Sequence, residues 1–353
     1  MYPDLQHLAE SVFNLPMPKF LGLIKTFGLF VAIAFLIASS VLVSELNRKE
    51  RDGLLKPERS IDNKGEEKLS YPHQRAGNIV MIALLAGIAG AKIFNAFETW
   101  QDFLKDPIGN LFSGGGLTFY GGLIVGGGVI IYYLRKHRID FRHFADAIAP
   151  ALMLAYGIGR LGCHFSGDGD WGIFNSAYTT LADGSIKSGP ITEFHQSLHQ
   201  SSAYFTSNFG SLDNIRSLYV PGASWLPQWA IANSYPHNVI NEGIQIANCS
   251  GDYCSVLPVA VFPTSLYEAF ICTLLSGLLW TVRKKFTTPL HLFGVYLILN
   301  GIERFFIEKI RVNYKYDWGF LHPTQAEIIS SVIIIAGISI LVFYNKSFID
   351  KLS

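Results

Sequence analysis

Long, almost uninterrupted apolar runs constrain this chain more than any other feature. FGLFVAIAFLIASSVLV follows Lys25, and IISSVIIIAGISILVFY lies near the other end. A helix that crosses a bilayer needs about 20 mostly apolar residues. Seven stretches approach that length, roughly 20–43, 77–97, 117–134, 145–163, 258–282, 290–308 and 327–344. The expected fold is therefore an all-α polytopic membrane protein with about seven transmembrane helices. Only 16% of residues are charged, against about 25% in soluble domains. This excludes a disordered chain and a nucleic-acid binder built on a basic surface. Net charge is +1, so bulk electrostatics selects no partner. The first run lacks a short basic leader and an A-x-A-like site, which reads as a retained helix.

Basic residues alternate from loop to loop as the positive-inside rule requires. The loop 44–76 holds eight, 135–143 four, the turn at 283–285 three and the C-terminal tail two, together seventeen of the 28. By contrast, 98–116 holds only Lys105, and 164–257 only Lys187 and Arg216. This places the N-terminus and the 164–257 loop outside, and the C-terminus and the basic loop 44–76 in the cytoplasm. The whole of 1–353 reads as one integral membrane domain, with 164–257 a long irregular outer loop inserted between helices four and five. That loop carries Cys249 and Cys254, a spacing compatible with a disulfide on the oxidising side and equally with two free thiols. Four cysteines are too few for a disulfide scaffold, and Cys163 and Cys272 read as small apolar residues in membrane segments.

Ionisable groups inside a bilayer are costly and usually face a cavity or one another. GRLGCHFSGDGDWG at 159–172 concentrates Arg160, His164, Asp168 and Asp170 at the outer end of helix four. Upstream, Pro150 should kink or start that span. Arg160 and His164 stand at i, i+4, on one helical face. An arginine here suits a phosphate held in a fork of N–H donors; the plainer reading is an Arg–Asp pair that fixes the loop. NGIERFFIEKIRVN at 300–313 puts Arg304, Glu308 and Arg311 at i, i+4, i+7. The plainer reading, an interfacial helix end touching headgroups, fits Lys309, Arg311 and Lys315 better than it fits Arg304. GGGLTFYGGLIVGGG at 114–128 is eight-fifteenths glycine. Helix packing explains Gly122, Gly126 and Gly127, while Gly114 to Gly116 suit a flexible entry for a lipid headgroup. Tyr267 and Glu268 lie in FPTSLYE, and HPTQAE starts the last helix with Thr324 and Gln325 as caps.

Taken in order, the GGLTFYGGLI, GRLGCHFSGDGDWG, PTSLYE and RFFIEKIR runs resemble the bacterial prolipoprotein diacylglyceryl transferase family, collinear over nearly the whole chain. The resemblance implies transfer of a diacylglyceryl group from phosphatidylglycerol to the lipobox cysteine thiol of a prelipoprotein. A thioether forms and glycerol phosphate leaves. It further implies a multi-pass protein of the bacterial inner membrane, with membrane lipids as partners, no nucleic acid, and no metal or organic cofactor. From the motifs, and for His164 from its place beside Arg160, the catalytic candidates are Arg160, Arg304, Glu308, Asp168, His164 and Tyr120. The substrate-binding candidates are Gly115, Gly116, Gly121, Gly122, Gly172, Tyr267, Glu268, Arg311 and Gln325.

The chemistry fits. A thiol reacts as its thiolate, and cations hold a phosphodiester and stabilise a leaving phosphate. The chain also departs from the family pattern. Tyr120 stands where the family has His, Cys163 where it has Asn, Phe262 for the His that opens HPTQLYE, and Phe27 for the Tyr of helix one. His164 is the remaining base candidate, since an unperturbed phenol has a pKa near 10. The departures keep open a divergent member with another lipid-transfer substrate. Intramembrane charges would also serve a transporter for a small anion, although no half-to-half repeat is visible, and a lipoprotein-binding scaffold is a third alternative.

Overall fold

The computed structural model describes residues 1–61, 67–112, 116, 118–223, 225–313, 316, 319 and 322–344. Described residues form twelve α-helices. They are α1 Leu5–Phe13, α2 Thr26–Arg51, α3 Ala76–Glu98, α4 Trp100–Lys105, α5 Pro107–Phe112 and α6 Phe119–Lys136. The second half holds α7 Phe141–Ser166, α8 Ile191–Gln200, α9 Ser202–Phe209, α10 Thr264–Val282, α11 His291–Glu308 and α12 Gln325–Phe343. Eight short strands pair in twos: β1 Glu58–Ile61 with β2 Glu67–Ser70, β3 Phe174–Asn175 with β6 Ser217–Leu218, β4 Tyr178–Thr180 with β5 Ile186–Ser188, and β7 Ile244–Gln245 with β8 Ser255–Val256. Only β3 and β6 run parallel.

Among the described residues, five helices are long and apolar enough to cross a membrane: α2, the helical stretch that ends with α3, α7, α10 and α12. The third and sixth expected spans coincide with α6 and α11, each of 18 residues. Both fall short for identifiable reasons. α6 ends in Arg135 and Lys136 and is diluted by five glycines, and α11 carries Glu303, Arg304 and Glu308. Basic residues Arg48, Lys49 and Arg51 in the last turn of α2 complement its dipole. A reciprocal capping box opens α12: Thr324 Oγ1 accepts from the Glu327 amide at 3.2 Å, and Glu327 Oε2 accepts from the Thr324 amide at 3.0 Å. Pro150 neither starts α7 nor ends it but lies in its interior.

The chain forms two compact units. One holds Phe35–Ala151 and Phe286–Phe293, the other Met1–Ala34, Leu152–Lys285 and the residues from Gly294 onward. In the first unit α3 and α6 pack backbone to backbone. A Cβ built on Gly90 would meet the Gly121 carbonyl at 2.4 Å, and one on Gly122 the Gly87 carbonyl at 3.0 Å. Small residues permit that approach. Leu42, Leu46, Ile79, Leu134 and Phe144 form its core. Asp146 accepts from the amides of Leu290 and Phe293, both at 2.9 Å, and so caps the start of α11, with Lys49 Nζ 3.8 Å away. Within the basic 44–76 stretch Arg75 pairs with Glu58, and His73 Nδ1 contacts the Glu50 carboxylate, both at 2.6 Å.

The second unit contains the long stretch between α7 and α10. It is not irregular: it carries α8, α9 and six of the strands, and starts only after Ser166. Phe194 and Leu198, an i, i+4 pair on α8, bury against Phe174, Phe205, Tyr235, Val259 and Val261. Ala177, Tyr178, Ile231, Ala232 and Ala260 make a second cluster. Cys249 and Cys254 form a disulfide, which decides between the two readings of that spacing. This stretch is referred to below as the cap.

Candidate active site

The last two turns of α7 carry Arg160, Cys163 and His164, and the helix ends at Ser166. Gly167 and Gly169 then adopt φ of +67° and +99°, a region that favours glycine. These turns send Asp170 back to the helix it has just left. Its carboxylate accepts from Arg160 Nη1 and from Arg311 Nη2.

Arg311 is not held there by helical periodicity. α11 stops at Glu308, so the i, i+4, i+7 face expected for Arg304, Glu308 and Arg311 ends one turn early. Main-chain pairing places Arg311 instead. Gly172 bridges to Arg311, the Ile173 amide donates to the Ile310 carbonyl at 2.8 Å, and the Gly172 amide donates to the Phe262 carbonyl at 2.8 Å. Three chain segments meet at Gly172, where a Cβ would lie 2.7 Å from Thr264 Cγ2, 2.8 Å from the Ile310 oxygen and 2.9 Å from the Phe262 oxygen. Arg216 secures the same corner by donating to the carbonyls of Lys309, at 2.8 Å, and Arg311, at 3.4 Å.

Glu268, on the second turn of α10, is fully buried and gathers three arginines. Its Oε2 lies 3.3 Å from Arg160 Nε and 3.6 Å from Arg311 Nη1, and its Oε1 lies 3.3 Å from Arg304 Nη1. Tyr156, one turn before Arg160, donates to Oε1 at 3.0 Å, and its ring stacks under the Arg160 guanidinium at 5.0 Å. Arg304 Nη2 is 3.0 Å from Glu308 Oε2, while Glu308 Oε1 accepts from Asn313 at 2.7 Å. Three guanidinium groups and three carboxylates thus share one buried network. Such carboxylates keep the arginines oriented. On Arg311, Nε and Nη1 are buried without a hydrogen-bond partner among the described residues.

Burial alone would raise the Asp170 carboxyl, but Arg160 and Arg311 outweigh it and hold it at about 2. For Arg311, burial opposes the charge and Asp170 with Glu268 more than restores it, so its pKa is raised. Asp168 goes the other way from Asp170. Burial, and then repulsion from Asp170, raise it. Carboxylate oxygens of Asp168 and Asp170 and the Cys163 sulfur lie within 4.8 Å of one another. Arg160 and Arg311 already supply the positive charge at that corner.

Of the sequence candidates, the structure brings Arg160, Glu268, Arg304, Glu308 and Arg311 into one network. Asp168 sits at its edge, accepting from the Asp170 amide at 3.4 Å. His164 turns to the cap, with Nδ1 3.1 Å from the Tyr235 hydroxyl, and among the described residues no side-chain hydrogen bond or ion pair joins it to Arg160. Tyr267 donates to the Ala230 carbonyl at 2.6 Å. Gln325 is the exposed first residue of α12, whose cap is Thr324. Tyr120, Gly116, Gly121 and Gly122 belong to the other unit. There Gly121 and Gly122 face α3, Gly116 is exposed with φ +65°, and Tyr120 is half-buried in the first turn of α6. Gly114 and Gly115 lie outside the described residues. Sequence reading names Asp170 only as one of four titratable groups and as half of a loop-fixing Arg–Asp pair, not as a site candidate, and it passes over the supporting Tyr156 and the buried Glu303. Tyr156 was findable, being i−4 from Arg160 on one helical face.

The family model described as prolipoprotein diacylglyceryl transferase matches residues 18–343. A phosphatidylglycerol–prolipoprotein diacylglyceryl transferase of Leptospira interrogans is 32% identical over 171 residues, 42% of this chain and 48% of that protein. The chain thus spans about half the length of that relative. Proteins of the same name from Chlorobaculum tepidum and Enterococcus faecalis are each 29% identical. The first match covers 79% of this chain and 78% of the relative, the second 76% and 78%.

Proposed function

The chain belongs to the prolipoprotein diacylglyceryl transferase family, and from that premise we propose that it transfers a diacylglyceryl group from phosphatidylglycerol to the lipobox cysteine of a prelipoprotein. The observation that carries the reading is the buried convergence of Arg160, Arg304 and Arg311 on Glu268, with Nε and Nη1 of Arg311 making no hydrogen bond among the described residues. Guanidinium donors match the oxygens of a phosphodiester, and in a water-poor site they stabilise the charge that develops on the departing phosphate. In the reaction the thiolate sulfur attacks the diacylglyceryl carbon that bears the phosphate ester oxygen. A C–S bond forms, that C–O bond breaks, and glycerol phosphate leaves with the electron pair. Asp170, Glu268 and Glu308 act as positioning groups that keep the arginines aimed. The thiol proton goes to a base. His164 is the candidate, through Nε2, since Nδ1 is engaged by Tyr235.

In this reading all seven apolar stretches span the bacterial inner membrane. Basic 44–76 faces the cytoplasm, the cap faces outward, and phosphatidylglycerol enters from the outer leaflet. The deciding experiment incubates the purified protein with phosphatidylglycerol and a lipobox peptide and weighs the peptide. A mass gain of one diacylglyceryl group, lost in Arg160→Lys, is expected. An unchanged mass, with an active relative working alongside, would sink the proposal.

A further inference from the structure

One part of the cap plays no part in the ion network. Residues 217–241 contain no Asp, Glu, Lys or Arg, a charge-free run of 25 residues outside the apolar stretches. Four of its apolar side chains are strongly exposed, Leu218 and Tyr219 at 50%, Trp229 at 59% and Trp225 at 79%, whereas Ile231, Ala232 and Tyr235 are buried. Contiguous exposed apolar groups mark an interaction surface, and Trp and Tyr concentrate where membrane meets water.

The place of this surface identifies its partner. The Tyr267 hydroxyl holds the Ala230 carbonyl at 2.6 Å, and Asn233 and Val261 exchange backbone hydrogen bonds at 3.0 and 2.9 Å. The segment is therefore fastened to the start of α10. Phe270, Leu274 and Leu278 follow Tyr267 at i+3, i+7 and i+11, one helical stripe, and all three are exposed. α10 is among the helices apolar enough to cross. Its 19 residues reach about 28 Å, close to the ~30 Å hydrocarbon thickness. The charge-free segment thus stands at the end of a lipid-facing stripe, at the depth where hydrocarbon gives way to headgroups.

We propose that Leu218, Tyr219, Trp225 and Trp229 form a membrane-seating surface, with the two indoles embedded at the headgroup–acyl boundary of the outer leaflet. The occupant is lipid. The 217–241 run itself carries no charged side chain to select a peptide, and Trp is the side chain best suited to that boundary. The proposal rests on α10 as a spanning helix and not on the transferase reading, so either can fail alone.

The test places the full chain in nanodiscs of phosphatidylcholine and phosphatidylglycerol, beside a Trp225→Phe/Trp229→Phe variant. Subtracting the variant's tryptophan emission from the parent's isolates two of the six tryptophans. Phe keeps both exposed sites apolar, and protease resistance of the cap checks that it stays folded. The difference signal is expected to be quenched severalfold more by lipids brominated high on the acyl chain than by aqueous iodide. Quenching by iodide with no response to brominated lipid would overturn the proposal. So would iodide access that closes only when a lipobox peptide is added, since that outcome assigns the surface to the peptide.

Discussion

Asp170 accepts a hydrogen bond from Arg311, a residue 141 positions later in the chain, and shares its other oxygen with Arg160. One carboxylate thereby ties the end of α7 to the segment after α11. Removing it leaves two largely buried guanidinium groups short of a counter-charge. Asp170→Ala is expected to cost about 3 kcal/mol, toward the lower end for a broken buried pair because Asp170 is partly exposed. Thermal unfolding in detergent reads the loss. An unchanged midpoint would mean that Glu268 alone suffices to hold both arginines.

The same acid sets a pH dependence. Its native pKa, near 2, is below the usual carboxylate value. Its stabilisation is therefore fully present above the ordinary range near 4 and is lost as pH falls through about 2. The stability gap between the parent and Asp170→Asn should stay constant from pH 7 to about 4 and close below that. Asp168 has the opposite sign. Burial and then Asp170 raise its pKa, so its ionisation opposes folding as pH rises past the unfolded carboxylate range. Asp168→Asn should stabilise at pH 7 and be neutral at the acid end. Denaturant titrations across pH separate the two acids, and a loss of stability at pH 7 in Asp168→Asn would contradict the assignment.

Glu303 adjoins Arg304 on α11, is buried, and has both carboxylate oxygens without a hydrogen-bond partner among the described residues. A buried polar group left unsatisfied costs about 1–3 kcal/mol. Glu303→Leu, of similar volume, is expected to raise the unfolding free energy by an amount in that range, read as a higher unfolding midpoint, while leaving the Arg304–Glu268 contact intact. A lower midpoint would show that the Glu303 charge balances the arginine network.

How much of this was legible in the sequence differs from residue to residue. The helices came through because runs such as 27–43 and 328–344 admit little else. Arg160, Arg304 and Glu308 stood out because charge is rare in such helices. Asp170 did not separate from Asp168, since two acids two residues apart differ only in which way the Gly167 and Gly169 turns aim them. Arg311 was grouped by helical spacing, whereas a main-chain bridge to Gly172 positions it. The cap looked irregular because its strands from β3 on are two or three residues long, too short for alternation to register. Phe194 and Leu198 were the legible i, i+4 signal it did contain.

The glycine run of α6 separates into residues that pack and residues that do not. A Cβ on Gly121 would meet the Gly90 carbonyl at 2.4 Å and Phe94 Cβ at 2.5 Å, whereas Gly127 has nothing within 4 Å. Gly121→Ala should force α3 and α6 apart and cost about 1–3 kcal/mol. Gly127→Ala should gain up to about 1 kcal/mol from helix propensity. Equal midpoints for the two variants would refute close packing between α3 and α6.

Gly172 provides the sharpest test of how the ion network is built, because it touches none of the charges. Its Cα faces Thr264 and the carbonyls of Ile310 and Phe262, so an added methyl has backbone on two sides and cannot be accommodated by a side-chain rotation. Gly172→Ala must separate the 172–174 segment from 310–311, and with it Asp170 from Arg311. Overpacking of this kind costs about 1–3 kcal/mol. The further consequence is that Arg311 loses its partner without being mutated. Combining Gly172→Ala with Asp170→Asn therefore distinguishes positioning from simple crowding. If Gly172 acts through the Asp170–Arg311 pair, the double variant should be destabilised by less than the sum of the two single effects. Strict additivity of the unfolding free energies would show that the glycine and the ion pair act independently.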